Sequence, residues 1–227
     1  MILEQCRPYR CDRRQVVRYM MVCIVIVAGL RVESACAQLG VPWRHVPKIT
    51  VVSAGGDSRL GAVNEAVAFW NRSLAGIGSR FRLGSVGHVR RPIPEEALQT
   101  MSEDVLSSGG RSVNIPPALR DLPGDITIVL ATSAFVSFTG PPFGENPKRI
   151  VGIRGARFSP MNLPNVPRNV IAHELGHAIG LGHNSDPATL MCGRPASCRP
   201  GLFRSDRRRM FALTADEKRR LLTLYPR

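Results

Sequence analysis

The sequence predicts a single domain that mixes helices and strands, of the α/β or the α+β class. Strand-like and helical segments alternate through the first two-thirds of the chain, and helical patterns predominate at its C-terminal end. Of the 227 residues, 44% are hydrophobic and 21% are charged, which allows a substantial buried core and argues against wholesale disorder. No repeat spans the chain, which argues against a solenoid or a propeller.

Four segments have the composition of β-strands. Residues 125–131 form a continuous, β-branched run that suits a buried strand, and residues 48–53 and 149–154 have similar character. Residues 80–86 alternate apolar and basic side chains, which predicts a half-buried strand.

Four further segments have helical patterns. Apolar residues recur at helical spacing from about residue 58 to residue 73, and we also expect helices over residues 94–106 and 165–181. The last helix begins at Thr214, which forms a capping box with Glu217 three residues later. The Gly- and Pro-rich stretches between these segments are predicted to be loops.

Residues 1–37 have the organisation of a secretory signal peptide. Arginines precede an eleven-residue apolar run from Met20 to Leu30, and Ala35 and Ala37 follow at the spacing of a cleavage site. The run is about half of the ~20 residues that a membrane-spanning helix needs. We therefore expect cleavage after Ala37 and a secreted or periplasmic catalytic domain over residues 38–227, with no stable membrane anchor after processing. A short buried helix is the alternative.

Arg13 and Arg14 also resemble a twin-arginine export signal. Val16 stands where that signal usually has an aromatic residue, so the general secretory route is favoured.

The cysteines agree with export. Four of the six lie in the leader, and the predicted mature chain keeps Cys192 and Cys198. A close pair in an oxidising compartment predicts a disulfide across a small loop, with two free thiols as the alternative.

A histidine motif suggests metal chemistry. His173, Glu174 and His177 fit H-E-x-x-H, which places two imidazoles on one face of a helix, within reach of one cation. Gly180 can end that helix and let His183 approach as a third ligand. Three imidazoles leave a position open for water, which Glu174 can deprotonate. Three histidines without a metal are the alternative.

The extended motif resembles that of a known family. HELGHAIGLGH, followed eight residues later by Met191, is similar to the zinc motif and Met-turn of the metzincin metalloproteases, and most of all to the matrixins. Residues 66–71, 124–131 and 213–225 resemble that family's first helix, a sheet strand and its closing helix. The resemblance implies a metzincin-type zincin domain, with a twisted, mostly parallel five-stranded sheet and three main helices.

The resemblance also implies roles for single residues. His173, His177 and His183 would bind one catalytic zinc, Glu174 would be the general base and proton shuttle, and Met191 would form a hydrophobic floor under the metal. The implied activity is that of a zinc metalloendopeptidase, which hydrolyses peptide bonds through a zinc-bound water activated by Glu174. The sequence leaves calcium binding open, since calcium sites cannot be read from it.

The sequence departs from the matrix metalloproteinases at several points. Cys192 follows Met191 where those enzymes usually have tyrosine, so a Cys192–Cys198 disulfide would pin the floor of the specificity pocket. No Pro-Arg-Cys-Gly-type switch precedes the domain, and we expect no latency through a cysteine ligand. Outside the motif only His45 and His88 remain, so a second, structural zinc is not expected.

The charge leaves one rival function open. The formal net charge is +14, and a basic run comprises Arg204, Arg207, Arg208 and Arg209. We favour a solvated face for this run over steering of acidic substrates. The rival is a basic exported binding protein for an anionic polymer, with a non-catalytic zinc site, although Glu174 would then have no use. A metal-dependent hydrolase of non-peptide substrates is a third possibility.

We expect a monomer that acts on proteins or peptides and has no specific nucleic-acid partner.

Overall fold

A five-stranded sheet lies at the centre of the computed structural model, which describes residues 40–110, 113–193 and 208–227. The predicted signal peptide lies outside the described residues, as do Cys198, Arg204 and Arg207. The strands are β1 (Ile49–Ser53), β2 (Val86–Arg90), β3 (Ile126–Leu130), β4 (Phe138–Thr139) and β5 (Arg149–Ile153).

The sheet is mostly parallel. Its order is β2-β1-β3-β5-β4, and only the edge strand β4 runs antiparallel to its neighbour, with Thr139 opposite Val151. Every residue of β1, β3 and β5 is buried, which explains their continuous apolar runs. The predicted α+β class with a mostly parallel five-stranded sheet is confirmed.

Five helices accompany the sheet in the described part of the chain: α1 (Leu60–Gly76), α2 (Glu95–Ser108), α3 (Pro117–Arg120), α4 (Asn165–Ala178) and α5 (Ala215–Leu224). Four of them have ten residues or more, so the expectation of three main helices is wrong. The additional long helix is α2, which buries Leu98 and Met101.

The sheet carries a hydrophobic core on each face because side chains alternate along its strands. Val51 and Ile128 belong to the core that contains residues of α1, α4 and α5. Val52 and Val129 belong to a second core that contains residues of α2 and α3. The buried face of α2 thus covers the face of the sheet opposite to α1, α4 and α5.

Some predicted boundaries differ from the observed ones. The strand predicted over residues 80–86 is wrong, because the strand begins at Val86. The side chain of Asn71 instead accepts a hydrogen bond from the amide of Leu83 at 2.8 Å and donates one to its carbonyl at 3.0 Å. These bonds attach the backbone of Leu83 to α1, which contains Asn71.

The capping box at Thr214 is confirmed. The Glu217 amide donates to the Thr214 hydroxyl at 3.1 Å, and the Thr214 amide donates to the Glu217 carboxylate at 2.7 Å. Within the described residues, none of the helices has the length and apolar character required to span a bilayer.

Candidate metal centre

Helix α4 positions the first two histidines of the motif. His173 and His177 lie one turn apart on α4, where the indole nitrogen of Trp70 donates to the carbonyl oxygen of Ala172 at 2.8 Å. Trp70 is fully buried in α1, so this bond fixes the two helices against each other. The site therefore rests on the packing of α1 against α4.

Gly176 allows Met191 to approach α4 closely. A Cβ atom at Gly176 would lie 2.5 Å from the Met191 sulfur and 2.8 Å from Cζ2 of Trp70, distances that no ordinary contact permits. Met191 is fully buried. The methionine thus packs against the helical turn between the two histidines.

A glycine turn brings in the third histidine. Helix α4 ends at Ala178 rather than at the predicted residue 181, and Gly180 follows with φ of +99°, a conformation that favours glycine. The Leu181 amide closes the turn by donating to the Gly176 carbonyl at 2.9 Å. The chain then reverses and places His183 beside His173 and His177.

The segment after His183 pairs with the segment around Met191. The Asn184 amide donates to the Met191 carbonyl at 2.9 Å, and the Gly193 amide donates to the Asn184 carbonyl at 3.0 Å. A Cβ atom at Gly193 would lie 2.3 Å from Cγ of His183, so glycine is needed for this close approach. His183 and Met191 are therefore held by one small unit of structure.

The three Nε2 atoms converge. His177 Nε2 lies 3.0 Å from Nε2 of both His173 and His183, and the remaining pair is 3.3 Å apart. Three imidazole nitrogens around a tetrahedral Zn²⁺, at bond lengths of about 2.0–2.1 Å, lie roughly 3.3–3.4 Å from one another. The observed spacing fits zinc to within a few tenths of an ångström.

The other ring nitrogens determine the tautomers. Nδ1 of His173 lies 2.8 Å from the Leu190 carbonyl oxygen, and Nδ1 of His177 lies 2.8 Å from the Leu181 carbonyl oxygen. A carbonyl oxygen only accepts, so both Nδ1 atoms donate, and Nε2 of each neutral ring carries a lone pair. Two lone pairs 3.0 Å apart cannot hydrogen-bond each other. A shared cation resolves this conflict, and the backbone carbonyls orient the rings toward it.

The cluster is open to solvent on one side. His173 is buried, His177 is half-buried and His183 is exposed. A small molecule can therefore approach from the side of His177 and His183, as a catalytic metal with an open coordination position requires.

Glu174 lies in α4 between the first two histidines and is only 4% exposed. The hydroxyl of Thr139 lies 2.7 Å from the Glu174 carbonyl oxygen and 3.0 Å from its Oε2 atom. Sequence reasoning missed Thr139, because a two-residue edge strand leaves no recognisable pattern. The contact connects Glu174 to β4, the antiparallel edge of the sheet.

Two aromatic residues stabilise the C-terminal turn of α4. The indole nitrogen of Trp43 donates to the Ala178 carbonyl at 2.9 Å, and the Tyr225 hydroxyl donates to the Ile179 carbonyl at 3.1 Å. Burial raises the pKa of Tyr225 to about 12. Both aromatic side chains are buried and belong to the core that contains residues of α1, α4 and α5.

The remaining predicted residues have separate positions. Cys192 is buried beside Met191, and its pairing with Cys198 stays a prediction because Cys198 lies outside the described residues. Nε2 of His45 lies 3.3 Å from the Asp125 carboxylate, and Nε2 of His88 lies 2.8 Å from the Ser53 hydroxyl.

Comparison with known proteins shows similarity to solved structures. No protein-family model matches the chain, and no curated protein matches its sequence. Among solved structures, the chain is similar to archaemetzincin from Methanopyrus kandleri, with a TM-score of 0.45 and 19% sequence identity. The alignment covers 81% of this chain and 98% of that one.

Proposed function

We propose that this chain is a zinc-dependent metalloendopeptidase of the metzincin class, in its matrixin-like branch. The observation that carries the proposal is the convergence of three Nε2 atoms within 3.0–3.3 Å of one another. Two of these atoms belong to the helix that also carries the buried Glu174. The buried Met191 under the same helix supports the proposed class.

His173, His177 and His183 are the proposed zinc ligands. A bound zinc supplies Lewis-acid chemistry, which lowers the pKa of a water molecule and polarises a peptide carbonyl. Carbonyl oxygens of Leu190 and Leu181 hold His173 and His177 in the tautomer that presents Nε2 to the metal.

Glu174 is the proposed general base. Its carboxylate accepts a proton from the attacking water and later donates it to the nitrogen of the leaving amine. The hydrogen bond to Thr139 limits rotation of the carboxylate, so the side chain is oriented before the substrate binds. Proton transfer by a positioned group of this kind contributes about 10²–10⁴-fold to a rate.

Strand β4 is the proposed binding surface for the peptide. It forms one edge of the sheet, and Thr139 within it contacts Glu174. An extended peptide that pairs with such an edge gains main-chain hydrogen bonds without a strict sequence requirement. This arrangement favours cleavage within a chain over cleavage at its ends.

The rival binding-protein function has less support. A structural zinc site usually closes its fourth position with a cysteine or histidine, whereas His177 and His183 leave this cluster accessible. Glu174, which is buried on the same helix directly after His173, also has no role in a purely structural site. Export through the predicted signal peptide and action as a monomer remain part of the proposal.

Mass spectrometry of a mixed peptide library tests the proposed activity. The zinc-loaded chain is compared with its Glu174→Gln variant, which keeps the size of the side chain, and with Glu96→Gln, an exposed change in α2. We expect internal cleavage by the parent and by Glu96→Gln, and a loss of about 10²-fold or more in Glu174→Gln. Equal cleavage by Glu174→Gln, or no cleavage by a parent that contains zinc, would contradict the proposal.

A further inference from the structure

A concave site lies between α1, the first turn of α4 and residues 208–210. We call it the arginine cleft and define it by Glu65, Arg72, Arg168, Arg208 and Arg209. It is open to solvent and has a volume of about 360 Å³. None of its residues belongs to the histidine cluster.

The cleft has an excess of positive charge. Glu65 is the one carboxylate among the described residues that line it, and its two oxygens are bound by Arg168 and Arg208, respectively. The four arginines and one glutamate leave a formal charge of +3. Arg72 and Arg209 form no ion pair with any described residue.

The side chain of Arg168 and the backbone of Arg209 are held in place before any ligand binds. Arg168 is only 9% exposed, and its guanidinium donates to the Asn165 side-chain oxygen at 3.3 Å. That oxygen also accepts the Arg209 amide at 3.2 Å, and the Asn169 side chain donates to the Arg209 carbonyl at 2.9 Å. The segment that carries Arg209 is therefore fixed to α4, and the Arg209 guanidinium lies 4.8 Å from the centre of the Phe211 ring.

The local backbone adds to the positive potential. Asn165 and Arg168 lie in the first turn of the fourteen-residue helix α4, whose N-terminal end favours anions. A concave, positively charged surface of this kind concentrates anions from solution.

We propose that the arginine cleft binds a phosphate group, either as inorganic phosphate or as a small phosphate monoester. Guanidinium groups match phosphate oxygens in pairs, and a dianion offsets most of the uncompensated charge. Glu65 already occupies the space between Arg168 and Arg208 as an internal anion. The phosphate is therefore placed on the side of Arg72 and Arg209. This inference is independent of the proposed peptidase activity.

Isothermal titration calorimetry of the full chain at constant ionic strength tests the inference, with inorganic phosphate and glycerol 3-phosphate as probes. Three variants are compared with the parent: Arg72→Gln in the cleft, Arg91→Gln as an exposed control with the same change in charge, and Glu65→Gln. Since phosphate can also ligate a metal, the difference between the two arginine variants is the decisive quantity.

We expect the parent to bind inorganic phosphate, the monoester or both, and Arg72→Gln to weaken that binding about tenfold or more. Arg91→Gln should leave it unchanged, and Glu65→Gln should tighten it because the internal competitor is lost. Binding of neither probe by the parent would overturn the proposal, as would equal weakening by Arg72→Gln and Arg91→Gln.

Discussion

The hydroxyl of Thr139 bridges the backbone and the side chain of Glu174. Its oxygen lies 2.7 Å from the Glu174 carbonyl oxygen and 3.0 Å from Oε2, so one proton is shared between two acceptors of the same residue. Thr139 itself pairs with Val151 of β5 across the sheet. The orientation of the buried carboxylate therefore depends on the edge of the sheet as well as on α4.

Replacing Thr139 with valine tests this contact. Valine keeps the shape of the side chain and removes the hydroxyl, so the carboxylate loses a hydrogen bond worth about 1 kcal/mol. We expect kcat/KM for peptide cleavage to fall roughly five- to tenfold while zinc content is unchanged. Thr139→Ser keeps the hydroxyl and should therefore retain most of the activity of the parent. Unchanged kcat/KM in Thr139→Val would show that the contact does not position Glu174.

Gly176→Ala tests the close approach of Met191 to α4. The new Cβ atom would lie 2.5 Å from the Met191 sulfur, and overpacking of this kind costs about 1–3 kcal/mol. The free energy of unfolding in urea should therefore fall.

Gly61→Ala is the matched control for Gly176→Ala. Gly61 also lies in a helix, and nothing stands within 4 Å of a Cβ atom there. This substitution should raise the free energy of unfolding by about 0.5–1 kcal/mol. If the two variants change stability equally, Met191 does not restrict the space at Gly176.

Ionisation of Glu95 should make the free energy of unfolding depend on pH. Partial burial raises its pKa, but hydrogen bonds from Ser133 and Thr132 outweigh burial and hold the pKa below its ordinary value of 4.5. Because the pKa is depressed in the folded state, the stabilisation is fully present above the pKa of the unfolded chain. This stabilisation is lost as the pH falls below about 4.5 and through the pKa of Glu95 in the folded state.

Urea unfolding of the parent and of Glu95→Gln over a range of pH measures this contribution. The variant should be less stable at neutral pH, and the difference should shrink as the pH falls below about 4.5. A difference that is constant across this range would mean that ionisation of Glu95 does not contribute.

Tyr225→Phe tests the support of the glycine turn. The Tyr225 hydroxyl donates to the Ile179 carbonyl and accepts from the Trp43 amide at 3.3 Å, and both partners would lose a hydrogen bond. Stacking on Phe81, with ring centres 3.9 Å apart, should persist. We expect the free energy of unfolding to fall by about 1–3 kcal/mol. No change in thermal or urea unfolding would show that these bonds are replaced by water without cost.

The sequence predicted the histidine cluster because its residues are close together along the chain. The i and i+4 spacing of His173 and His177 is a property of any α-helix, and Gly180 marks the place where the helix must end. Thr139 and the arginine cleft could not be predicted in this way. Their contacts join distant segments, as between Glu65 and Arg168, and no local spacing records them.

The strands likewise divide into those that local sequence predicted correctly and one that it did not. Strands β1, β3 and β5 are buried on both faces and were predicted within one residue, since their apolar runs are continuous. Residues 80–86 alternate like a strand, yet Leu83 bonds to the side chain of Asn71 instead of to a neighbouring strand. The backbone of an alternating segment can form its hydrogen bonds with a side chain instead of with a neighbouring strand. The alternation of apolar and polar residues is the same in both cases, so it does not distinguish them.

X-ray absorption spectroscopy at the zinc edge of the zinc-loaded chain measures whether His173, His177 and His183 hold one zinc and leave a position for water. We expect three imidazole nitrogens at about 2.0–2.1 Å and one oxygen, with one imidazole lost in His183→Ala. A shell closed by a fourth protein ligand, or a spectrum unchanged in His183→Ala, would contradict this expectation.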